Sequence, residues 1–233
     1  MTMHSLDGPT SVIAGEDLTK RFGATVALDG LSVAVGRGEV VALLGPSGSG
    51  KSTLLLCLAG VLQPDSGTVF YQDRPIKDLG DSALTRLRRR EFGFVFQFGQ
   101  LVPDLTAVEN VALPLRLDGH SRRPAETKAL ELLGRLGVED RARLRVGEMS
   151  GGQSQRVAIA RALISEPTVI FADEPTGSLD SLNGELVMEL LLMAARERSA
   201  AVVLVTHEAR IAAYADREVV IRDGCLTHYS TVT

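Results

Sequence analysis

Long apolar runs are missing. No stretch of the 233 residues approaches the eighteen or so that a membrane-spanning helix needs, which excludes a spanning segment. Residues 1–11 also lack the basic and apolar parts of a secretion signal, so the chain is expected to stay in the cytoplasm. Cysteine is nearly absent: Cys57 and Cys225 suit neither a disulfide framework nor a thiolate metal site, and both read as inert packing residues. No charge sign dominates, because 25 basic against 29 acidic residues leave a net charge of -4 and no global attraction to nucleic acid or anionic lipid. Any membrane contact must be local. Aromatics are scarce at 4% with no tryptophan, and there is no repeat or low-complexity tract.

Glycine, at 23 residues, is plentiful, and its placement is informative. Gly45-Pro46-Ser47-Gly48-Ser49-Gly50-Lys51-Ser52-Thr53 follows the apolar run Val40-Val41-Ala42-Leu43-Leu44 and satisfies the glycine-rich phosphate-loop pattern where a strand hands over to a helix. Small residues let the backbone curl with its amide hydrogens inward, and the following helix adds its positive N-terminal end. Lys51 can reach terminal phosphates, and Ser52 offers a hydroxyl to magnesium, which prefers hard oxygens shared between protein and phosphate. The chain is therefore expected to bind a nucleotide.

Thr168-Val169-Ile170-Phe171-Ala172-Asp173-Glu174 is an apolar strand ending in two acids, which are costly there unless they face a ligand or cation. Asp173 reads as the magnesium-side carboxylate and Glu174 as the group that polarises an attacking water. Without the phosphate loop, such a pair would serve equally as a helix cap or surface pair. Met149-Ser150-Gly151-Gly152-Gln153 is a second small-residue turn opening a helix, with amides for an anion but no adjacent lysine. It either completes a nucleotide site built elsewhere, plausibly in a second copy of the chain, or serves tight packing only.

The length permits either one large α/β domain or two small ones, and one compound domain is expected over 12–229 with 1–11 as a tail. Apolar or alternating segments over 12–44 read as several strands, followed by strands at 67–72 and 92–96 and a helix at 81–90. Helical pieces over 104–147, broken by Pro114, Gly119, Pro124 and Gly137, are expected within an inserted helical subdomain at about 98–165. A helix at 155–164, strand at 168–173, helix at 182–198 and strand at 201–206 then alternate, which implies a parallel sheet covered on both faces.

The phosphate loop, Gln97 after an apolar strand, Ser150-Gly151-Gly152-Gln153, Asp173-Glu174, Ser178-Leu179-Asp180 and His207 stand in the order typical of ABC transporter ATPases. The sequence resembles that family over nearly its whole length. The resemblance implies an α/β P-loop ABC ATPase domain with a parallel-sheet core, an N-terminal antiparallel β region and an inserted helical subdomain. It also implies ATP and Mg2+ as cofactors and two subunits facing head to tail, as a homodimer. Each ATP would lie between one subunit's phosphate loop, 45–53, and the other's signature turn, Ser150, Gly151, Gly152 and Gln153. Phe22 would stack on adenine where the family more often has tyrosine, a core residue at a strand end being the other reading. Gln97 would bind magnesium with Ser52 and Asp173 and sense the membrane partner. His207 would contact the γ-phosphate and help hold Glu174 and the attacking water, Lys51 completing the catalytic set, and Ser178, Leu179 and Asp180 would couple the two sites. On residue chemistry alone, Gln97 is an ordinary loop residue and His207 a capping or surface histidine. Met149 stands where leucine is usual and Ser154 where glutamine or glutamate is usual; neither change removes a phosphate-contacting group, so full competence is expected.

Leu87 through Gln97 and Leu105-Thr106-Ala107-Val108-Glu109-Asn110-Val111 look like the branch of lipoprotein-releasing, macrolide-export and antimicrobial-peptide-resistance ATPases. That likeness implies a multi-span membrane permease as partner, holding the chain at the inner face of the cell membrane, and export or extraction as the task. Arg86 and 88–90 either touch that partner or lipid or form a solvated helix face. The rival, a non-transport ABC ATPase acting on nucleic acid or ribosomes, would bring long coiled coils between its nucleotide motifs or two ATPase domains, and neither is in the sequence. A module that binds ATP without turnover would be favoured by loss of Glu174 or His207, and both are present.

Overall fold

The computed structural model describes residues 11–231. Of the expected tail, residues 1–10 lie outside the described residues, and Ser11 opens the first strand. The first half of the chain runs β1 (Ser11–Phe22), β2 (Thr25–Gly36), β3 (Val40–Leu44), α1 (Lys51–Leu58), β4 (Ser66–Tyr71), β5 (Arg74–Pro75), α2 (Asp81–Glu91), β6 (Phe92–Phe96) and α3 (Ala107–Leu117). The second half runs α4 (Arg122–Arg135), α5 (Gly151–Leu163), β7 (Val169–Asp173), α6 (Ser181–Arg196), β8 (Ala201–Val205), α7 (Ala209–Ala212), β9 (Arg217–Arg222) and β10 (Cys225–Thr231).

Two sheets result. An antiparallel sheet in the order β2-β1-β4-β5 forms the expected N-terminal β region. A second sheet in the order β10-β9-β3-β8-β7-β6 is parallel from β9 to β6. At its edge, beyond the segments read from the sequence, β10 returns antiparallel beside β9, across the tight turn that pairs Cys225 with Arg222. Cys225 is exposed on that edge strand, so it is not the packing residue anticipated, whereas Cys57 is fully buried in α1.

The central strands are apolar on both faces because both faces are covered. Val41, Leu43, Phe171, Val203 and Val205 point into a core shared with α1 and the antiparallel sheet. Their alternating neighbours Val40, Ala42, Ile170, Ala172, Val202 and Leu204 point into a second core shared with α3 to α6. The chain's few aromatics are concentrated along β6 and its neighbours, where Phe92 and Phe94 lie 5.2 Å and 5.7 Å from Phe171 between ring centroids, and Tyr71 lies 5.4 Å from Phe92.

Helices α3 and α4 form the helical region that the sequence anticipates. Pro114 does not break it and sits inside α3. A proline costs one amide hydrogen bond there, but Thr106 and Glu109 close a capping box at the N-terminus, and Ala107, Val108, Val111 and Ala112 are buried against neighbouring elements. The Pro114 carbonyl still accepts from the Asp118 amide at 3.1 Å, so the last turn holds.

Candidate nucleotide site

The register of the parallel sheet assembles the site. Leu43 pairs with Val205, Val205 with Asp173, and Asp173 with Phe96, so β3, β8, β7 and β6 end level with one another. The segments leaving those ends carry the phosphate loop, His207, Glu174 and Gln97. Crevices at the carboxyl ends of parallel strands are where open α/β sheets bind ligands.

The loop between β3 and α1 has the backbone its glycines permit. Gly45 has φ +145° and Gly50 has φ +104°, and a Cβ on either would fall about 2 Å from a carbonyl oxygen, of Ile221 and of Ala27 respectively. Gly50 is also the N-cap of α1, whose first residue is Lys51. Lys51 is buried, and its Nζ donates to the Gly45 carbonyl at 2.9 Å and the Pro46 carbonyl at 2.7 Å, which sets a cation within the curl of the loop. Pro46, Ser47 and Gly48 are exposed at its rim, Ser49 is buried beneath it, and Thr53 follows in α1.

Ser52 Oγ donates to Asp173 Oδ1 at 3.1 Å. Both line a cavity of about 260 Å³ together with Gln97 and Glu174. Burial pushes the Asp173 carboxyl above its usual range and the Glu174 charge adds to the rise, while the Ser52 hydroxyl and the Lys51 ammonium oppose it. A desolvated carboxylate beside a hydroxyl and a carboxamide is a hard-oxygen donor set of the kind magnesium takes in company with phosphates, so these residues fit that ion.

Glu174 adopts a left-handed backbone at φ 49°, unusual for a residue with a side chain and the kind of strain that clusters at functional sites. The Glu174 amide donates to the Val205 carbonyl at 3.0 Å, tying the turn to β8. His207, two residues beyond β8, places Nδ1 2.8 Å from Glu174 Oε1. That hydrogen bond, followed by the carboxylate's charge, lifts the His207 pKa above its ordinary value.

Lys51, Ser52, Gln97, Asp173, Glu174 and His207 therefore converge. The signature turn is not part of the lining that Ser52, Gln97, Asp173 and Glu174 share. Ser150 caps α5 through a capping box with Gln153, and Ser150 and Gly151 are exposed. A Cβ on Gly151 would meet Leu179 at 3.6 Å and one on Gly152 would meet Asn183 at 3.5 Å, so the turn lies against the segment leading into α6, which Asp180 caps. Phe22 is 52% exposed at the end of β1, with Lys20 Nζ 5.8 Å from its ring centroid, which rules out the core reading. Two buried or half-buried side chains on α5, Gln155 and Arg161, also reach the segment around Gln97. No sequence motif pointed to them, since an isolated glutamine or arginine on a helix reveals nothing until its tertiary partners are known.

The fold and the site define a phosphate-loop ATPase with a helical insertion and a second glycine turn outside its own nucleotide pocket. The chain belongs to the ABC transporter family, whose match spans residues 28–177. It is 42% identical over 211 residues to the lipoprotein-releasing system ATP-binding protein LolD of Bacteroides thetaiotaomicron, covering 91% of this chain and 97% of that protein. Among solved structures it is similar to the ATP-binding cassette MJ0796 in a dimeric post-hydrolysis state with ADP and Pi, with a TM-score of 0.88 and 38% identity over 95% of this chain and 99% of that one. It is also similar to cbiO1 of Clostridium perfringens, part of the cbiONQ transporter complex, with a TM-score of 0.86 and 30% identity over 96% of this chain and 89% of that one. The chain is an ATP-binding and ATP-hydrolysing subunit of an ABC transporter.

Proposed function

We propose that two copies of this chain close head to tail around two ATP molecules and drive a multi-span membrane permease. The observation that best supports this is the sheet register, which sets Lys51, Ser52, Gln97, Asp173, Glu174 and His207 on one edge while leaving the signature turn exposed elsewhere. Phe22 offers an exposed ring face to adenine. The backbone N–H groups of the loop from Ser47 onward and the Lys51 ammonium hold the phosphates. Ser52, Gln97 and Asp173 hold Mg2+, which when bound neutralises charge on the β- and γ-phosphates. Glu174 orients the attacking water and accepts its proton, and His207 fixes the carboxylate through the 2.8 Å hydrogen bond. Ser150, Gly151, Gly152 and Gln153 present the N-terminus of α5 to the ATP held by the other copy, and Asp180 joins the two sites from the neighbouring turn.

The domain is taken as 12–229 with its helical insertion at about 98–165. Between β6 and α3 lies an apolar groove of about 450 Å³, lined in part by Leu113, Leu117, Arg88 and Arg89. Phe96 borders both this groove and the magnesium-side cavity. A permease helix suits its apolar floor, at whose rim Arg89 is held by Asp118 and Arg88 by the Gly60 carbonyl, and would be felt one residue from Gln97. No helix among the described residues is long and apolar enough to cross a membrane. The chain in this reading sits at the inner face of the cell membrane through the permease. The likeness to a lipoprotein-releasing ATP-binding protein supports extraction or export of lipoprotein as the task.

A Glu174→Gln variant provides the test. It should bind ATP as the wild type does, lose about 10²–10⁴-fold in turnover, and accumulate as a closed dimer that captures a multi-span protein from detergent-solubilised native membranes. Unchanged turnover would refute the role of Glu174, and capture of ribosomal or DNA-associated proteins instead of a membrane protein would refute the transport reading.

A further inference from the structure

The parts of the proposed ATP sites are joined inside one chain by a side chain that touches neither site. Gln155 lies in the second turn of α5, the helix opened by the signature turn, and is 2% exposed. Its Nε2 donates to the Phe96 carbonyl at 3.0 Å and the Pro175 carbonyl at 2.7 Å. Phe96 immediately precedes Gln97, and Pro175 immediately follows Glu174. The carboxamide thus bolts the stem of α5 to the two turns that carry the magnesium-side glutamine and the water-orienting glutamate.

Other contacts stiffen the same joint. Arg161, lower on α5, donates to the Gly99 carbonyl at 2.7 Å and the Gln100 carbonyl at 2.8 Å. Gly99 lies beside the helix, where a Cβ would make ordinary contact with Ala158 at 3.4 Å and Gln155 Oε1 at 3.5 Å. Ser178 Oγ donates to the Gln97 carbonyl at 2.7 Å from the segment against which the signature turn lies. A helix is stiff along its axis, so a displacement at its N-terminus is carried to these turns and is not absorbed in a loop.

We infer that Gln155 is a positioning residue for hydrolysis: it transmits engagement of the signature turn with one ATP to the geometry of Gln97 and Glu174 at the other. The inference rests on the sandwich reading above, in which the signature turn and Glu174 of one chain serve different ATP molecules. It accounts for the use of a buried carboxamide: its two N–H groups can satisfy two carbonyls at once, and an apolar side chain of the same volume would leave both without that partner. Each chain then couples the two sites from within, in addition to any contact across the dimer.

Gln155→Met keeps the volume and removes both donors. The expected result is an ATP dissociation constant within about twofold of the wild type, a kcat lowered about tenfold or more, and a Hill coefficient for hydrolysis that falls to about 1. Hydrogen exchange should quicken at 96–100 and 174–177 and stay unchanged in β3, a pattern that general destabilisation would not give. Gln155→His returns one N–H at similar reach and should recover part of the lost kcat. If the methionine variant does not fold, the histidine variant carries the test with the same readouts. A folded variant with wild-type kcat and Hill coefficient overturns the inference. A parallel Ser150→Arg variant separates the two claims: if it still hydrolyses ATP, the sandwich reading has failed, whereas if it is inactive and Gln155→Met is unaltered, only the coupling role has failed.

Discussion

His207 and Glu174 share a hydrogen bond at 2.8 Å, so the protonation of the imidazole reports directly on the carboxylate that the proposed mechanism depends on. The bond and the nearby charge raise the His207 pKa above 6.5, its ordinary value, against a small opposing effect of burial. A raised pKa on a base means that the pair contributes stability fully below the unfolded-state value and that this is lost as the pH rises through the folded value. The histidine side chain is 65% exposed, so solvent screening keeps that contribution small, and titration is a better readout than unfolding. Following the His207 ring protons by NMR should give a midpoint above 6.5 in the wild type and a shift back down toward it in Glu174→Gln. A midpoint unmoved by the substitution would mean that the pair does not form in solution, and His207 would lose its assigned role. The same pair shows why single residues are hard to read from sequence. Lys51 and Ser52 are legible because the phosphate-loop pattern fixes their neighbours, whereas His207 is chemically ordinary until the β7–β8 register brings it to Glu174.

At the scale of elements, β7 is the strand that carries Asp173 and leads to Glu174 of the proposed mechanism, and Phe171 is what seats it. The side chain is fully buried, stacked near Phe94 and edge-on to Phe92 two residues before Asp173. Phe171→Ala should cost about 3–5 kcal/mol, as deletion of a buried ring leaves a cavity that a parallel sheet cannot close. A denaturant titration should show a lower midpoint at unchanged slope, and turnover should fall once Asp173 loses its register with Val205. A midpoint within the error of the wild type would show that the site does not depend on this aromatic packing. Strands of this kind were legible: β6 lies where its apolar run predicts, and β7 and β8 differ from expectation only at their ends, because short apolar runs closed by polar residues leave little choice. The C-terminal β9 and β10 were not legible. β9 begins and ends with arginine, and what makes it a strand is pairing with β3, far away in sequence. Pro114 misled for a related reason, since local propensity counted one lost amide bond while burial of the α3 face outweighed it.

In the proposed reading the whole molecule holds half-sites. Its phosphate loop comes, in that reading, with a lysine, magnesium-side oxygens and a glutamate, while its signature turn, exposed at Ser150 and Gly151, has no adjacent lysine and lies outside the cavity lined by Ser52, Gln97, Asp173 and Glu174. A second copy is, on the same proposal, turned head to tail, a closed two-fold arrangement in which both sites use the same pair of surfaces. The consequence is countable. Ser150→Arg spoils the turn and spares the loop, and Lys51→Ala does the reverse, so each homodimer has no complete site. Mixing the two in equal amounts makes about half the dimers mixed, and each of those has one intact site and one doubly damaged site, giving about a quarter of wild-type turnover if the sites act independently. Coupling through Gln155 would lower the recovery below that figure without abolishing it, because the intact site still has a loop, a glutamate and a facing turn. Steady-state ATPase assays on the mixture, with each variant alone as its control, decide the matter. No recovery from two folded, dimerising variants would mean that each chain completes its site in cis, and the exposed turn at Ser150 would then need a different explanation.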